Sequence, residues 1–228
     1  MTAGQTARAR VRAELTKEIL QAARDELAEV GPSALSLRSV ARRLGMVPSA
    51  LYRYFPSRDA LLTALILEAY EGVGETAHAA VGEAAGSPLE RWRALCRAVR
   101  SWGHLHPQQW ALIYGSPVPG YAAPEATVPA ALRITDAVAG ILRDAPGARP
   151  PEVVAPPAPF PDEVVEPIRQ ALLPGRDTAT VTAAVLAWTS LVGMVSLELF
   201  GHYKGGSTDF EALFGYAMDL AGRAAGLT

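Results

Sequence analysis

The segment Ser36-Leu37-Arg38-Ser39-Val40-Ala41-Arg42-Arg43-Leu44-Gly45-Met46-Val47-Pro48-Ser49-Ala50-Leu51-Tyr52-Arg53-Tyr54-Phe55 leaves the chain little choice of fold. It reads as two short helices joined by a tight turn, and such helices must cross closely. Close crossing needs a small residue at the contact, here Ala41, and a turn residue tolerant of positive φ, here Gly45. Val40, Leu44, Met46, Leu51 and Phe55 are the apolar positions available to face a preceding helix. Val47, Pro48, Ser49, Ala50 and Arg53 are then left on the outer face of the second short helix. The N-terminal residues of a helix so presented are the ones that can reach base edges in a major groove.

The surrounding sequence supplies the other helices. Leu15, Ile19, Ala23, Leu27 and Val30 recur at helical spacing, and Gly31-Pro32 stops that run. Ser36 is placed to cap a helix from Leu37 to Leu44, and Pro48 to open one running to about Phe55. Pro56-Ser57 breaks the chain again, and Ser57 can cap a long helix from Arg58 towards Ala84. Further helices are expected over 88–105, 107–114, 125–145, 162–173, 177–203 and 208–225, with a loop at 115–123. Seven prolines between 146 and 161 predict an extended, mobile connection. No stretch alternates with period two and no internal repeat is visible. The expected fold is all-α, with a three-helix N-terminal module over 1–57 and a helical domain over 58–228.

Charge divides the same way. Residues 1–58 carry ten Arg or Lys against five acids, a net +5, whereas residues 59–228 carry eleven against eighteen, a net −7. A basic module on an acidic body points to a polyanion partner for the module alone. Arg8, Arg10 and Arg12 precede the first helix and read either as a solubilising tail or as an arm lying along DNA. The start has no apolar stretch behind its basic residues, so no secretory signal is expected. With the single cysteine, Cys96, this fits a reducing cytoplasm. Thr178 to Leu197 is uncharged and long enough to span a bilayer, but its threonines and its isolation favour a helix buried in protein. No nucleophile elbow, phosphate-binding loop or dinucleotide fingerprint appears, so an enzyme is not expected, nor a cofactor.

The block from Ala41 and Gly45 through Leu51-Tyr52-Arg53-Tyr54-Phe55 and Ser57-Arg58-Asp59 resembles the TetR family of transcriptional regulators, over about residues 14–65. The resemblance implies a repressor that binds double-stranded operator DNA as a homodimer and responds to a small effector. It implies that Tyr52, Tyr54 and Arg58 meet DNA phosphates, with Tyr54 standing where many members have histidine. It also implies that Val47, Pro48, Ser49, Ala50 and Arg53 vary with operator sequence, and that Arg38 reads a base in some members. A small apolar face of Val47, Pro48 and Ala50 suits thymine methyl groups, leaving Arg53 or Arg38 to read guanine.

In the body, Trp92, Trp102, His106, Trp110, Tyr114 and Trp188 are candidates to line a pocket for an apolar or aromatic effector, although core packing is the competing reading for each. His104, His106 and Cys96 lack the spacing of a metal site. Glu198 and His202 stand four apart and are expected to pair on one helix face. An almost wholly apolar helix over 177–203, with the last helix over 208–225, predicts a two-fold four-helix dimer interface. The pattern also resembles the TetR subset with a C-terminal Trp-x-x-x-His-Gly signature. Trp188 and Gly193 match it, and Val192 replaces the histidine.

Overall fold

The computed structural model describes residues 3–151 and 161–228, with side chains from Ala9 onward. Its elements are α1 Ala3–Ala34, α2 Leu37–Arg43, α3 Pro48–Leu51, α4 Arg58–Glu83, α5 Pro88–Leu105 and α6 Pro107–Tyr114. A 3-10 turn at Glu125–Thr127 precedes α7 Val128–Ala131, α8 Arg133–Arg143, α9 Asp162–Leu172, α10 Thr178–Leu199 and α11 Phe210–Ala224. All the described elements are helical, as the periodicity predicts. They form two compact units, one of residues 1–69 and 108–128 and one of residues 70–107 and 129–228. The helix break near residue 57 is therefore not where compactness divides the chain. The first turns of α4 stay with the N-terminal helices, and a hydrogen bond between Thr63 Oγ1 and the Tyr121 hydroxyl, 2.9 Å, ties the 108–128 segment to them.

In the first unit α1 buries Ile19, Ala23 and Leu27, the stripe read from the sequence. Val30 departs from it and is exposed. Gly31 has φ 74°, which turns the chain out of helical phase, and Leu35 becomes the buried residue instead. At the other end α1 starts before Leu15, so Arg10 and Arg12 sit on a helix rather than in an irregular arm, while the side chain of Arg8 lies outside the described residues.

The second unit is organised by α5. A reciprocal capping box between Ser87 and Glu90 starts it, and Leu89, Trp92, Leu95, Cys96, Val99 and Trp102 form its buried face. Around it pack α8, α10 and α11. Gly222 lets α11 come close, because a Cβ there would lie 2.5 Å from Trp92 Cδ1. The Trp92 indole N–H donates to the Met218 carbonyl, 2.7 Å, across the same contact. Ionic ties reinforce it: Arg93 grips Asp219 with two bonds of 2.5 Å, and Arg100 grips Glu198 with bonds of 2.8 and 2.7 Å.

Three expectations change here. Glu198 pairs with Arg100 and with His104 Nε2, 3.1 Å, and not with His202. Helix α10 ends at Leu199 and Gly201 takes φ 80°, so His202 falls beyond the helix and the four-residue face relation is lost. The single helix expected over 125–145 is instead a 3-10 turn, the short α7 and α8, with the break at Leu132. The proline-rich connection is partly held. Arg176 donates to the carbonyls of Pro146, 2.8 Å, and Ala148, 2.5 Å, while residues 152–160 lie outside the described residues.

Helix α10 is long and apolar enough to cross a membrane, but it packs on α5, α8, α9 and α11 and buries Val181, Ala184, Ala187, Leu191 and Val195. Its opposite face is bare: Leu186 is 60% exposed, and on α11 Leu220 is 61% exposed.

Candidate nucleic-acid interface

The interface is assembled by ordinary capping chemistry. Ser36 Oγ accepts the Ser39 backbone N–H at 3.1 Å and starts α2. Gly45, with φ 65°, ends it, and the Met46 N–H returns to the Ala41 carbonyl at 2.9 Å. Ala41 is fully buried, as the close crossing demands. Pro48 occupies the first turn of α3, where no N–H is needed. The chain then tightens after Leu51, with the N–H groups of Tyr54 and Phe55 both donating to the Leu51 carbonyl. Leu51 and Phe55 point inward. The result is a short helix held from behind, with its outer row in solvent.

That outer row is the one expected. Val47 is 66% exposed, Pro48, Ser49 and Arg53 are exposed, and Ala50 is half-buried at the edge. Tyr52 is 46% exposed and Tyr54 half-buried beside it. Arg38 is exposed on the first turn of α2.

The arginines of this unit fall into two groups. Arg24 pairs with Glu68. Arg43 pairs with Glu29, 2.5 Å, and Glu26, 3.3 Å. Arg58 is turned away from the surface of α3: its Nε donates to the Leu35 carbonyl at 3.0 Å, and its Nη2 to the carbonyls of Pro32, 2.7 Å, and Ser33, 3.3 Å. The guanidinium thus ties down the α1–α2 connection. By contrast, Arg38, Arg42 and Arg53 are exposed and enter none of the described ion pairs. Arg42 is the residue that the sequence reading passed over. Its neighbour Arg43 is the same residue type on the same helix, and only the pairing of Arg43 with Glu26 and Glu29 separates the two.

A further contact could not be read from spacing. Arg12 of α1 donates from Nη2 to the Arg53 carbonyl, 3.2 Å, and its guanidinium lies 4.9 Å from the centre of the Tyr54 ring. One side chain of the first helix therefore braces the end of α3.

The six aromatic positions proposed for an effector fall in different places. Trp110 and Tyr114 belong to the first unit and stack on each other at 4.6 Å. In the second unit Trp92 is engaged with Met218, and Trp102 packs on His106 at 5.0 Å. Trp188 lines a cavity of about 220 Å³ between α8, α9 and α10, to which none of the other five contributes.

Comparison with known proteins agrees with this geometry. Residues 19–65 match the family described as bacterial regulatory proteins, tetR family, and residues 92–221 match the tetracyclin repressor-like C-terminal domain. HTH-type transcriptional regulators of Mycobacterium tuberculosis and Mycobacterium bovis are 42% identical over 199 residues, covering 84% of this chain and 83% of theirs. Among solved structures, the protein SCO4313 is 31% identical with a TM-score of 0.79, over 93% of this chain and 97% of that one. A TetR family transcriptional regulator from Thermus thermophilus, PfmR, is 20% identical with a TM-score of 0.58, over 90% and 97%, and shares the fold.

Proposed function

The chain belongs to the TetR family of DNA-binding transcriptional regulators, and we propose that it is a cytoplasmic homodimeric repressor released from a near-palindromic operator by a small effector. Regulators of this family bind DNA and act as dimers. In this reading α3 of each copy enters one of two successive major grooves, about 34 Å apart, and the bound dimer occludes transcription. The observation that carries it is the outer row of α3, exposed and flanked by Arg38, Arg42 and Arg53 without internal ion partners.

The roles follow from the chemistry of each group. Tyr52 and Tyr54 donate to phosphates, and Arg42 adds an electrostatic contact on the same side. Val47, Pro48 and Ala50 meet thymine methyl groups, Ser49 hydrogen-bonds at the base edge, and Arg38 or Arg53 reads guanine. Arg58 acts through position, by fixing the carbonyls that join α1 to α2. For the dimer, the bare apolar faces of α10 and α11, with Leu186, Leu197, Leu213 and Leu220 exposed, fit a two-fold partner copy better than water. No catalytic step is assigned to the chain. Its output is operator occupancy, and the effector lowers that occupancy by the coupling free energy between the two sites.

Footprinting on the DNA upstream of the gene tests this reading. Two protected half-sites about 10 bp apart, centred on a near-palindrome, are expected. Uniform protection with no preferred site contradicts it.

A further inference from the structure

The cavity between α8, α9 and α10 is bounded by Leu132, Val138, Ala139, Ile168, Leu172 and Trp188, among others. Thr135 is the one hydroxyl in its wall, and it already donates to the Leu132 carbonyl at 2.8 Å. No charged side chain lines it. Water needs two to four polar partners to stay in such a space, and an apolar void of this kind instead remains dry or takes an apolar guest.

The outer wall is held in place from outside. Helix α9 presents Ile168 and Leu172 inward, while its neighbouring polar groups are clamped to other elements. Arg169 Nη2 donates to Thr178 Oγ1 at the start of α10, 2.6 Å. The Thr178 hydroxyl in turn donates to Asp162 Oδ1 at the start of α9. At the other end, Arg143 of α8 donates to the Leu172 carbonyl, 2.7 Å. These ties keep α9 over the void instead of letting its leucine and isoleucine collapse into it. Closely packed interiors rarely leave a space this large. The floor is α10, the same helix whose far face is bare for a partner copy.

We infer that this cavity is the effector site, and that its occupant is an uncharged, hydrocarbon-dominated molecule about the size of a two-ring aromatic, stacked on Trp188. This rests on the reading of the chain as an effector-released repressor, and it gives that effector a chemical class and a place. Size follows from comparison with apolar cavities of about 150 Å³, which take benzene. Charge is disfavoured because no charged side chain lines the wall, and the Trp188 indole N–H alone does not offset the cost of burying a full carboxylate or ammonium charge.

The test uses the full-length protein with naphthalene as probe and 1-naphthoate as its charged counterpart. The reporter is the Trp188 indole N–H, which is buried and makes no hydrogen bond, followed by NMR and identified by Trp188→Phe. Naphthalene is expected to shift that signal saturably while the Trp92 indole signal stays put, and 1-naphthoate to bind about tenfold or more weaker. Ala184→Leu and Ala139→Leu each fill the cavity from a different helix. Each should abolish the shift while raising Tm or leaving it unchanged. No saturable shift, or an equal shift in both filled variants, overturns the site. Operator release is measured separately on the same samples. Naphthalene binding at Trp188 without release leaves the site standing and defeats the effector-released reading. Release that persists in both filled variants does the reverse.

Discussion

The two compact units place their arginines differently. In the second unit, Arg91, Arg93, Arg100, Arg143 and Arg169 each close onto a carboxylate, joining helix to helix or bracing one helix along its length. In the first, Arg24 and Arg43 are used that way and Arg58 closes onto backbone carbonyls, but Arg38, Arg42 and Arg53 stand exposed without an ion partner around α3. Surface pairs add little stability, so the difference is not explained by folding. Exposed Arg97, Arg149, Lys204 and Arg223 of the body likewise enter none of the described ion pairs, so what distinguishes the first unit is that Arg38, Arg42 and Arg53 lie together on one helix-turn-helix. A second contrast runs alongside it. The body leaves its apolar residues bare on α10 and α11, whereas the outer row of α3 is small and mixed.

Five changes and one control in the body break or sharpen this comparison, and the five are ordered by expected size. Leu186→Asp with Leu220→Asp puts charge into the bare apolar face. The protein should run as a monomer on sizing chromatography and lose operator affinity by about a thousandfold, since the two heads no longer bind together. Replacing Arg38, Arg42 and Arg53 with alanine together should cost a similar or slightly smaller factor, about a hundred- to a thousandfold at moderate salt, with no change in Tm. The matching change in the body, Arg91→Ala with Arg143→Ala, should leave operator affinity where it was.

Arg100→Ala should show the opposite signature, a loss of about 3 kcal/mol in stability, because Arg100 and Glu198 are only 16% and 14% exposed. Burial pushes the Glu198 carboxyl up, but hydrogen bonds from Arg100 and His104 outweigh it and hold the group below its ordinary value of 4.5. A carboxylate with a depressed folded value stabilises the fold above about pH 4.5, and that stability is lost as pH falls through the folded value. Arg100→Ala should therefore flatten the acid limb of a stability curve below pH 4.5. Arg58→Ala comes next, with about 2 kcal/mol lost from its carbonyl contacts. If Arg58 instead met a phosphate, Tm would hold and the salt dependence would fall. Smallest is Arg12→Ala, expected to weaken operator binding about two- to fivefold through the loss of its contact with Tyr54.

Much of this was legible in the sequence, for identifiable reasons. Caps and breakers act locally, so Ser36, Gly45, Pro48 and Ser57 marked helix ends that the structure reproduces. The outer row of α3 followed from which positions were apolar. What depends on distant partners was not legible. Nothing near Arg58 in sequence announces the carbonyls of Pro32 and Leu35, and nothing near Glu198 announces Arg100. The pairing of His202 with Glu198 failed because the helix ended four residues earlier than the 203 expected from sequence. The aromatic positions of α5 and α6 looked like a pocket because tryptophan and histidine are common in both cores and sites. The cavity itself is lined mostly by leucine, valine and alanine, which carry no local signal.

The central claim is that three unpaired arginines beside α3 are held for DNA. The most direct test is the salt dependence of operator binding, measured for the unaltered protein and for Arg38→Ala, Arg42→Ala and Arg53→Ala singly. The account predicts a steep fall in affinity with salt, and a slope that drops by about one for each arginine removed. A slope unchanged in all three variants would contradict it.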